Sequence, residues 1–264
     1  MRTALIYHAG DPISGVGLAR WLASFSDLVA VVEIDEPWRR SLKRIRREWK
    51  RSGLFRMIDV LAFRLYYLLW LARADRKWQA EGLAELRSTY AAPVPPPPLI
   101  RTSSPNNLEA EAFLRQHAPD VVLARSKSLL KRRVFSIPAD GTFVLHPGIC
   151  PDYRNAHGCF WALSEGDLSN VGMTLLRIDE GIDTGPVFGH YFWRYERQNA
   201  SHIRIQNQVL IDNLDAVRKK LLEIHQRRAT PIEIRGRPSR EWGQPWLSAY
   251  LRWRNSAAGA LRKT

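Results

Sequence analysis

The sequence predicts an α/β fold with a doubly wound, mostly parallel central sheet. Residues 3–8 (Thr-Ala-Leu-Ile-Tyr-His), a glycine-rich turn and a helix-forming stretch lead into a second apolar run at 29–34. That β-turn-α-β opening is how such sheets begin. The run at 29–34 is continuous rather than alternating, as a strand covered on both faces is. The same sheet pattern resumes at 120–124 and 142–146, after an interruption rich in helical spacing.

The elements follow in order. Gly10 to Gly17 forms a turn and residues 18–25 a helix. From 37 to 90 the character changes, and a helical insertion is expected there. Trp38, Leu42, Ile45 and Trp49 repeat at helical spacing among eight Lys and Arg residues, which makes a basic amphipathic helix. A second helix is expected over 58–86, then a proline-rich extended connector at 93–98. Strands follow at 120–124, 142–146, 171–178 and 186–195, with a short helix at 159–165. One helix is expected over 200–226, with Ile205, Val209, Leu214, Val217 and Leu221 on its apolar side. The division predicted is a main domain over 1–235, carrying the insertion at about 37–90, and a basic, Trp-rich tail over 236–264.

Composition bounds the function. The 264 residues suffice for one sizeable core, and the formal net charge of +14 favours anionic partners. Two cysteines, Cys150 and Cys159, exclude a disulfide framework, and no Cys/His cluster has metal-ligand spacing, so no metal is expected. No leader is expected at the N-terminus. The most apolar stretch, 57–72, is interrupted by Asp59 and Arg64 and is short for a membrane span, which needs about 20 residues. A cytoplasmic protein is expected, with peripheral contact to an anionic membrane through residues 37–72 as one reading of the basic helix. The other readings are a packing element with a solvated cationic back, and a nucleic-acid contact.

The chemistry concentrates in residues 142–190. His146 stands at the C-terminal end of a strand, where ligand sites in open α/β sheets collect. Pro147, Gly148 and Pro151 then force an irregular loop, which runs through Tyr153, Arg154, Asn155 and His157. The strand over 171–178 ends in Asp179-Glu180-Gly181-Ile182-Asp183-Thr184-Gly185-Pro186. A titratable His and several carboxylates are thus set at strand ends.

This stretch resembles the folate-dependent formyltransferase superfamily, whose members act on glycinamide ribonucleotide, methionyl-tRNA or amino sugars. The residues that carry the resemblance include His146, Pro147, Gly148, Pro151, Tyr153, Arg154, Trp161, Ala162, Gly166, Asp167, Gly172, Thr174, Asp183, Thr184, Gly185 and Pro186, all in family order. It extends more weakly to the first strand, to 107–123 and to 200–226, and does not cover 37–90 or the last thirty residues.

The resemblance implies a Rossmann-like formyltransferase fold and transfer of a formyl group from 10-formyltetrahydrofolate to a primary amine. By analogy His146 takes the amine proton or stabilises the oxyanion, and Asp183 tunes it. The family's Asn two residues before the His is Val144 here. Losing such a donor raises a barrier by about 3–4 kcal/mol. Asn155 or His157 is expected to replace it. Asn155 also has a plainer reading, as a cap of the following helix.

The cofactor loop implied is Arg125, Ser126, Lys127 and Leu129, facing the turn with Asp179, Gly181 and Asp183. Lys127 could equally be part of a solvated basic loop. Substrate contacts are expected from Gly10, Ser14 and Gly15, whose glycine amides open a helix, and from Tyr153 and Arg154. The alternative for the glycine loop is a tight turn that lets helix and strand pack.

The acceptor implied is a small amine, phosphorylated or nucleotide-linked, such as an amino sugar. The tail after 235 is too short for the added β-barrel of the tRNA-acting relatives, so a nucleic-acid substrate is not expected. A homodimer is a further expectation. Two readings stay beside formyl transfer: hydrolysis of 10-formyltetrahydrofolate or another one-carbon transfer, and a non-catalytic folate- or anion-binding relative.

Overall fold

A computed structural model describes residues 1–37, 53–193 and 201–261. A seven-stranded sheet runs in the order β3-β2-β1-β4-β5-β7-β8. Its first five members are β1 (Arg2–His8), β2 (Asp27–Ile34), β3 (Leu99–Thr102), β4 (Val121–Arg125) and β5 (Gly141–His146), all parallel. β7 (Gly172–Arg177) and β8 (Val187–Phe192) then add in antiparallel pairs. The mostly parallel α/β sheet read from the sequence is therefore present.

The continuous apolar runs have a direct cause. On β1, Leu5 and Tyr7 enter one hydrophobic core while Ala4 and Ile6 enter the core on the other face. A strand covered on both sides has no solvent face to leave polar. The larger core receives α6 (Gly158–Ser164), α7 (His202–Asp212) and α8 (Leu214–His225), and the smaller one receives α4 (Leu108–His117).

Several element bounds differ from expectation. The expected helix over 18–25 is shorter: Ile13–Leu18 is a π-helical turn that leads into α1 (Ala19–Ala23). Gly15 lies so close to the Tyr7 ring that a Cβ there would come within 2.4 Å of it. The helix over 200–226 is two helices, broken at Asn213, whose amide donates to the Val209 carbonyl at 2.8 Å. That is the side-chain-to-backbone competition that ends helices at Asn. β3 follows the proline-rich connector directly, as an edge strand on β2. The insertion holds a helix over residues 53–66 (α2), a π-helical turn Tyr67–Leu71 and α3 (Ala72–Thr89). The basic helix expected around 38–51 lies outside the described residues.

The segment after 236 packs into the same core as the sheet. α5 (Arg132–Phe135) precedes β5, and α9 (Leu247–Leu261) buries Ala249, Tyr250 and Trp253. The two-residue strands β6 (Arg154–Asn155) and β9 (Glu241–Trp242) pair with each other. Trp242 stacks between Tyr153 and Trp161, with ring centroids 5.6 and 4.6 Å away.

Candidate active site

β5 ends on His146, which is 3% exposed. The chain then turns back over it. This is possible because Gly148 and Gly158 meet face to face: a Cβ on Gly158 would lie 2.4 Å from the Gly148 Cα. The crossing brings the Tyr153 carbonyl to His146 Nε2 at 2.8 Å. A carbonyl only accepts, so Nε2 carries a proton and donates.

The other ring nitrogen, Nδ1, lies 3.3 Å from Oδ2 of Asp183. Asp183 sits in the left-handed region, with φ 51°. Its turn is held by Asp179, whose carboxylate accepts from the Gly181 amide at 2.9 Å and the Thr184 hydroxyl at 2.8 Å. Oδ2 of Asp183 also accepts from the Asn155 amide at 2.8 Å. With Nε2 committed, a deprotonated Nδ1 would face a carboxylate lone pair to lone pair. Nδ1 is thus the ring nitrogen left for chemistry, and a proton arriving there would be stabilised by the carboxylate beside it.

Beside this pair opens a small cleft of about 70 Å³. Leu129, Leu130, Val144, Leu176 and Ile178 supply apolar walls, and Ser126, Ser128, Asp179, Gly181 and Asp183 a polar rim. Val144 lies two residues before His146 on β5, hence on the same face of the strand. The two segments expected from the sequence to enclose the cofactor thus line one cleft. Apolar walls with a few polar groups at the edge are the kind of lining a heteroaromatic ring takes.

Not every expected residue faces that cleft. Arg125 turns the other way, and its Nε donates to the Ser14 hydroxyl at 3.1 Å. Ser14 gives both its amide and its hydroxyl to Asp11, at 3.1 and 2.6 Å. With an acidic side chain on those donors, the Gly10–Ser14–Gly15 turn is an internal network of framework bonds. This is the tight-turn reading of the glycine loop. The Tyr153 hydroxyl donates to Asp167 at 2.9 Å, beneath the Trp242 ring. Arg154 donates to the Ile182 carbonyl at 2.8 Å and to Ser239 at 3.0 Å, and lies 3.5 Å from Glu241. Both residues therefore hold the loop after His146 against the Asp183 turn and the tail.

Asn155 and His157 differ in the same way. Asn155 has φ 79°, and its side-chain amide donates to the Trp242 carbonyl at 2.7 Å. Its backbone, not its side chain, reaches Asp183. It does not cap α6, whose N-cap is His157. His157 is held down to about 4, first by burial, then by the neighbouring Lys127 and Arg64 cations. A hydrogen bond that His157 donates to Gln244 opposes this, and His146 adds to the lowering. It is therefore a neutral imidazole at pH 7. Behind it lies buried His202, ring centroid 5.8 Å away, whose pKa burial pushes well below the usual value. The Lys127 amide donates to His8 Nε2 at 2.9 Å, which fixes the loop that carries its ammonium.

Arg64 and Gln244 were not foreseen as site residues. They arrive from the insertion and the tail, 180 positions apart, and touch at 3.5 Å. No local pattern marks either one.

Residues 75–191 match the family model described as formyl transferase. A methionyl-tRNA formyltransferase from Thermus thermophilus is 36% identical over 144 residues, which is 52% of this chain and 45% of that protein. One from Myxococcus xanthus is 36% identical over 109 residues, 41% of this chain and 33% of that protein. The chain thus spans less than half the length of these curated relatives. Among solved structures, a Shewanella sugar N-formyltransferase superposes with a TM-score of 0.54 at 12% identity, covering 92% of this chain and 77% of that one. A phosphoribosylglycinamide formyltransferase from Anaplasma phagocytophilum gives 0.53 at 14% identity, covering 86% and 88%. These two likenesses concern the fold. The family model over residues 75–191 and the curated relatives liken this chain to the formyltransferases, and the solved structures share its fold.

Proposed function

We propose that this chain transfers a formyl group from 10-formyltetrahydrofolate to a primary amine of a small phosphorylated or nucleotide-linked acceptor, such as an amino sugar. The contact of His146 Nδ1 with the Asp183 carboxylate, set beside an apolar cleft with a polar rim, carries the reading. The folate supplies the electrophilic formyl carbon when bound. Val144, Leu176 and Ile178 would press on the faces of its ring system, and the polar rim at 126–128 and 179–183 would meet its edges.

The chain's own residues then manage one proton. As the amine nitrogen bonds to the formyl carbon, it must lose a proton, and the departing folate nitrogen must gain one. The His146–Asp183 pair is placed to accept the first and return it to the second, through Nδ1. Nε2 stays on the Tyr153 carbonyl and fixes the ring.

The developing oxyanion needs a donor, and Val144 has none to give. Asn155 spends its side chain on Trp242. His157 is neutral, retains an N–H and lies near His146; in this reading it takes the role. Lys127 and Arg64, the two cations that act on His157, favour an acceptor with an anionic group. A cytoplasmic setting goes with the reading, since Cys150 and Cys159 are both free thiols.

The test is incubation with 10-formyltetrahydrofolate, with and without nucleotide-linked amino sugars, following tetrahydrofolate release. Release that requires the amine supports formyl transfer. Equal release without amine would replace it with hydrolysis. Folate binding with no release in either condition would make the chain a non-catalytic relative.

A further inference from the structure

α2 and the π-helical turn after it have two unlike faces. Met57, Val60 and Phe63 are buried. Phe63 packs against Phe160, His202 and Tyr250, with centroids 5.3–5.5 Å away. On the outer side Leu54, Ile58, Leu61, Leu65, Leu68 and Leu69 recur at steps of three and four residues or stand side by side. Each is between 49% and 65% exposed. At 1.5 Å per residue the stripe is roughly 22 Å long.

No charged side chain interrupts it. The charged residues between 53 and 73 are Arg56, Asp59, Arg64 and Arg73. Arg56 lies over the Trp246 ring at 3.7 Å, Asp59 accepts from Ser248, and Arg64 reaches Gln244. An unbroken stripe of this length on a soluble surface marks a contact that the isolated chain does not make.

We propose that the outer face of α2 docks in the plane of an anionic lipid bilayer. Its chemistry selects that occupant over a second copy of the chain. The sequence just before α2, residues 38–51, carries eight Lys and Arg residues against one acidic residue, and the whole chain carries +14. Two copies meeting on this face would bring like charge together, whereas anionic headgroups complement it. Trp70, 63% exposed and stacked on Tyr66 at 5.0 Å, stands at one end of the stripe, the ring type that settles at headgroup level. An apolar helix face flanked by basic residues and aromatics lies in the interface and does not span it. Among the described residues no helix is long and apolar enough to cross a membrane. The docked face and the face that carries Arg64 to Gln244 belong to the same helix, so docking holds the catalytic side close to the lipid surface.

Docking requires nothing of the catalytic pair, so its test is separate from formyl transfer. The full chain is floated on density gradients with phosphatidylcholine vesicles, and with mixed phosphatidylcholine–phosphatidylglycerol vesicles. The wild type should float with the mixed vesicles only. The double variant Leu61→Glu, Leu65→Glu should lose at least about tenfold in vesicle partitioning. Its thermal midpoint and its solution catalysis should stay those of the wild type, because both side chains face solvent. A wild type that stays at the bottom with both vesicle types overturns the proposal. So does a double variant that floats as well as the wild type, which would leave the basic segment alone responsible. A wild-type dimer by light scattering that the variant splits, without flotation of either, would make the face a contact between copies instead.

Discussion

His146 Nδ1 and Asp183 Oδ2 stand 3.3 Å apart, while Nε2 of the same ring is tied to the Tyr153 carbonyl at 2.8 Å. The imidazole therefore has one working nitrogen, and the carboxylate stands beside it. Asp183→Asn keeps the acceptor for the Asn155 amide but removes the negative charge that would stabilise a proton on Nδ1. Turnover should fall by about 10²- to 10⁴-fold, with the Michaelis constants little changed. Tetrahydrofolate release measures this, with far-ultraviolet circular dichroism as the check on folding.

His157 and Val144 form a pair that can be tested against each other. If the neutral imidazole supplies the oxyanion donor, His157→Ala should lower turnover by about 10²- to 10³-fold. Adding Val144→Asn to that variant puts an amide donor on the His146 face of β5 and should restore part of the loss. A double variant as slow as the single one would show that no donor is missing at that place.

The same histidine makes stability depend on pH. His157 is lowered from 6.5 to about 4 in the folded chain, and His202 is lowered well below 6.5. A depressed folded-state value means that the unfolded chain binds more protons between the two values. The stabilising contribution is complete above pH 6.5 and is lost as pH falls from there towards 4. Urea midpoints should therefore drop between pH 7 and pH 4.5, and His157→Gln should show a smaller drop over the same interval.

Trp242 tests whether the tail belongs to the framework of the site. Its ring is 6% exposed between Tyr153 and Trp161, its Nε1 donates to the Asp152 carbonyl at 3.1 Å, and Arg240 lies over it at 3.9 Å. Trp242→Ala should cost about 3–5 kcal/mol of stability, as deletions of large buried aromatics do. Chemical denaturation gives the value. Activity should fall with it, since Tyr153, whose carbonyl holds His146, loses the ring stacked on it.

The sequence makes the sheet and the meeting of His146 with Asp183 legible for the same reason. Strands buried on both faces read as unbroken apolar runs, and His146 and Asp183 close a strand and a turn within forty residues of each other. The Asp179-to-Asp183 turn is local chemistry: an acidic side chain accepting from the amide two residues on. What was not legible depends on distance along the chain. Arg125 follows a strand as a cofactor-loop residue would, yet its partner is Ser14, 111 positions earlier. Tyr153 and Arg154 carry polar groups that suit a substrate, and both are taken by Asp167, Ile182 and Ser239. Their side chains look functional in sequence because the polar partners that occupy them come from other elements. The 200–226 break escaped for the opposite reason: Asn213 is a single residue within a well-kept apolar period.

The β6–β9 pairing has a consequence for the order of events during synthesis. The catalytic loop emerges from a ribosome at 147–157, but Arg154 and Asn155 wait for Glu241 and Trp242 before they have a neighbouring strand. At elongation rates of about 5–20 residues per second, the loop spends several seconds without it. A nascent chain that has passed residue 192 already holds every strand of the large sheet and both members of the His146–Asp183 pair. It becomes a finished site only when the residues near 242 arrive, so competence is gained late and in one step.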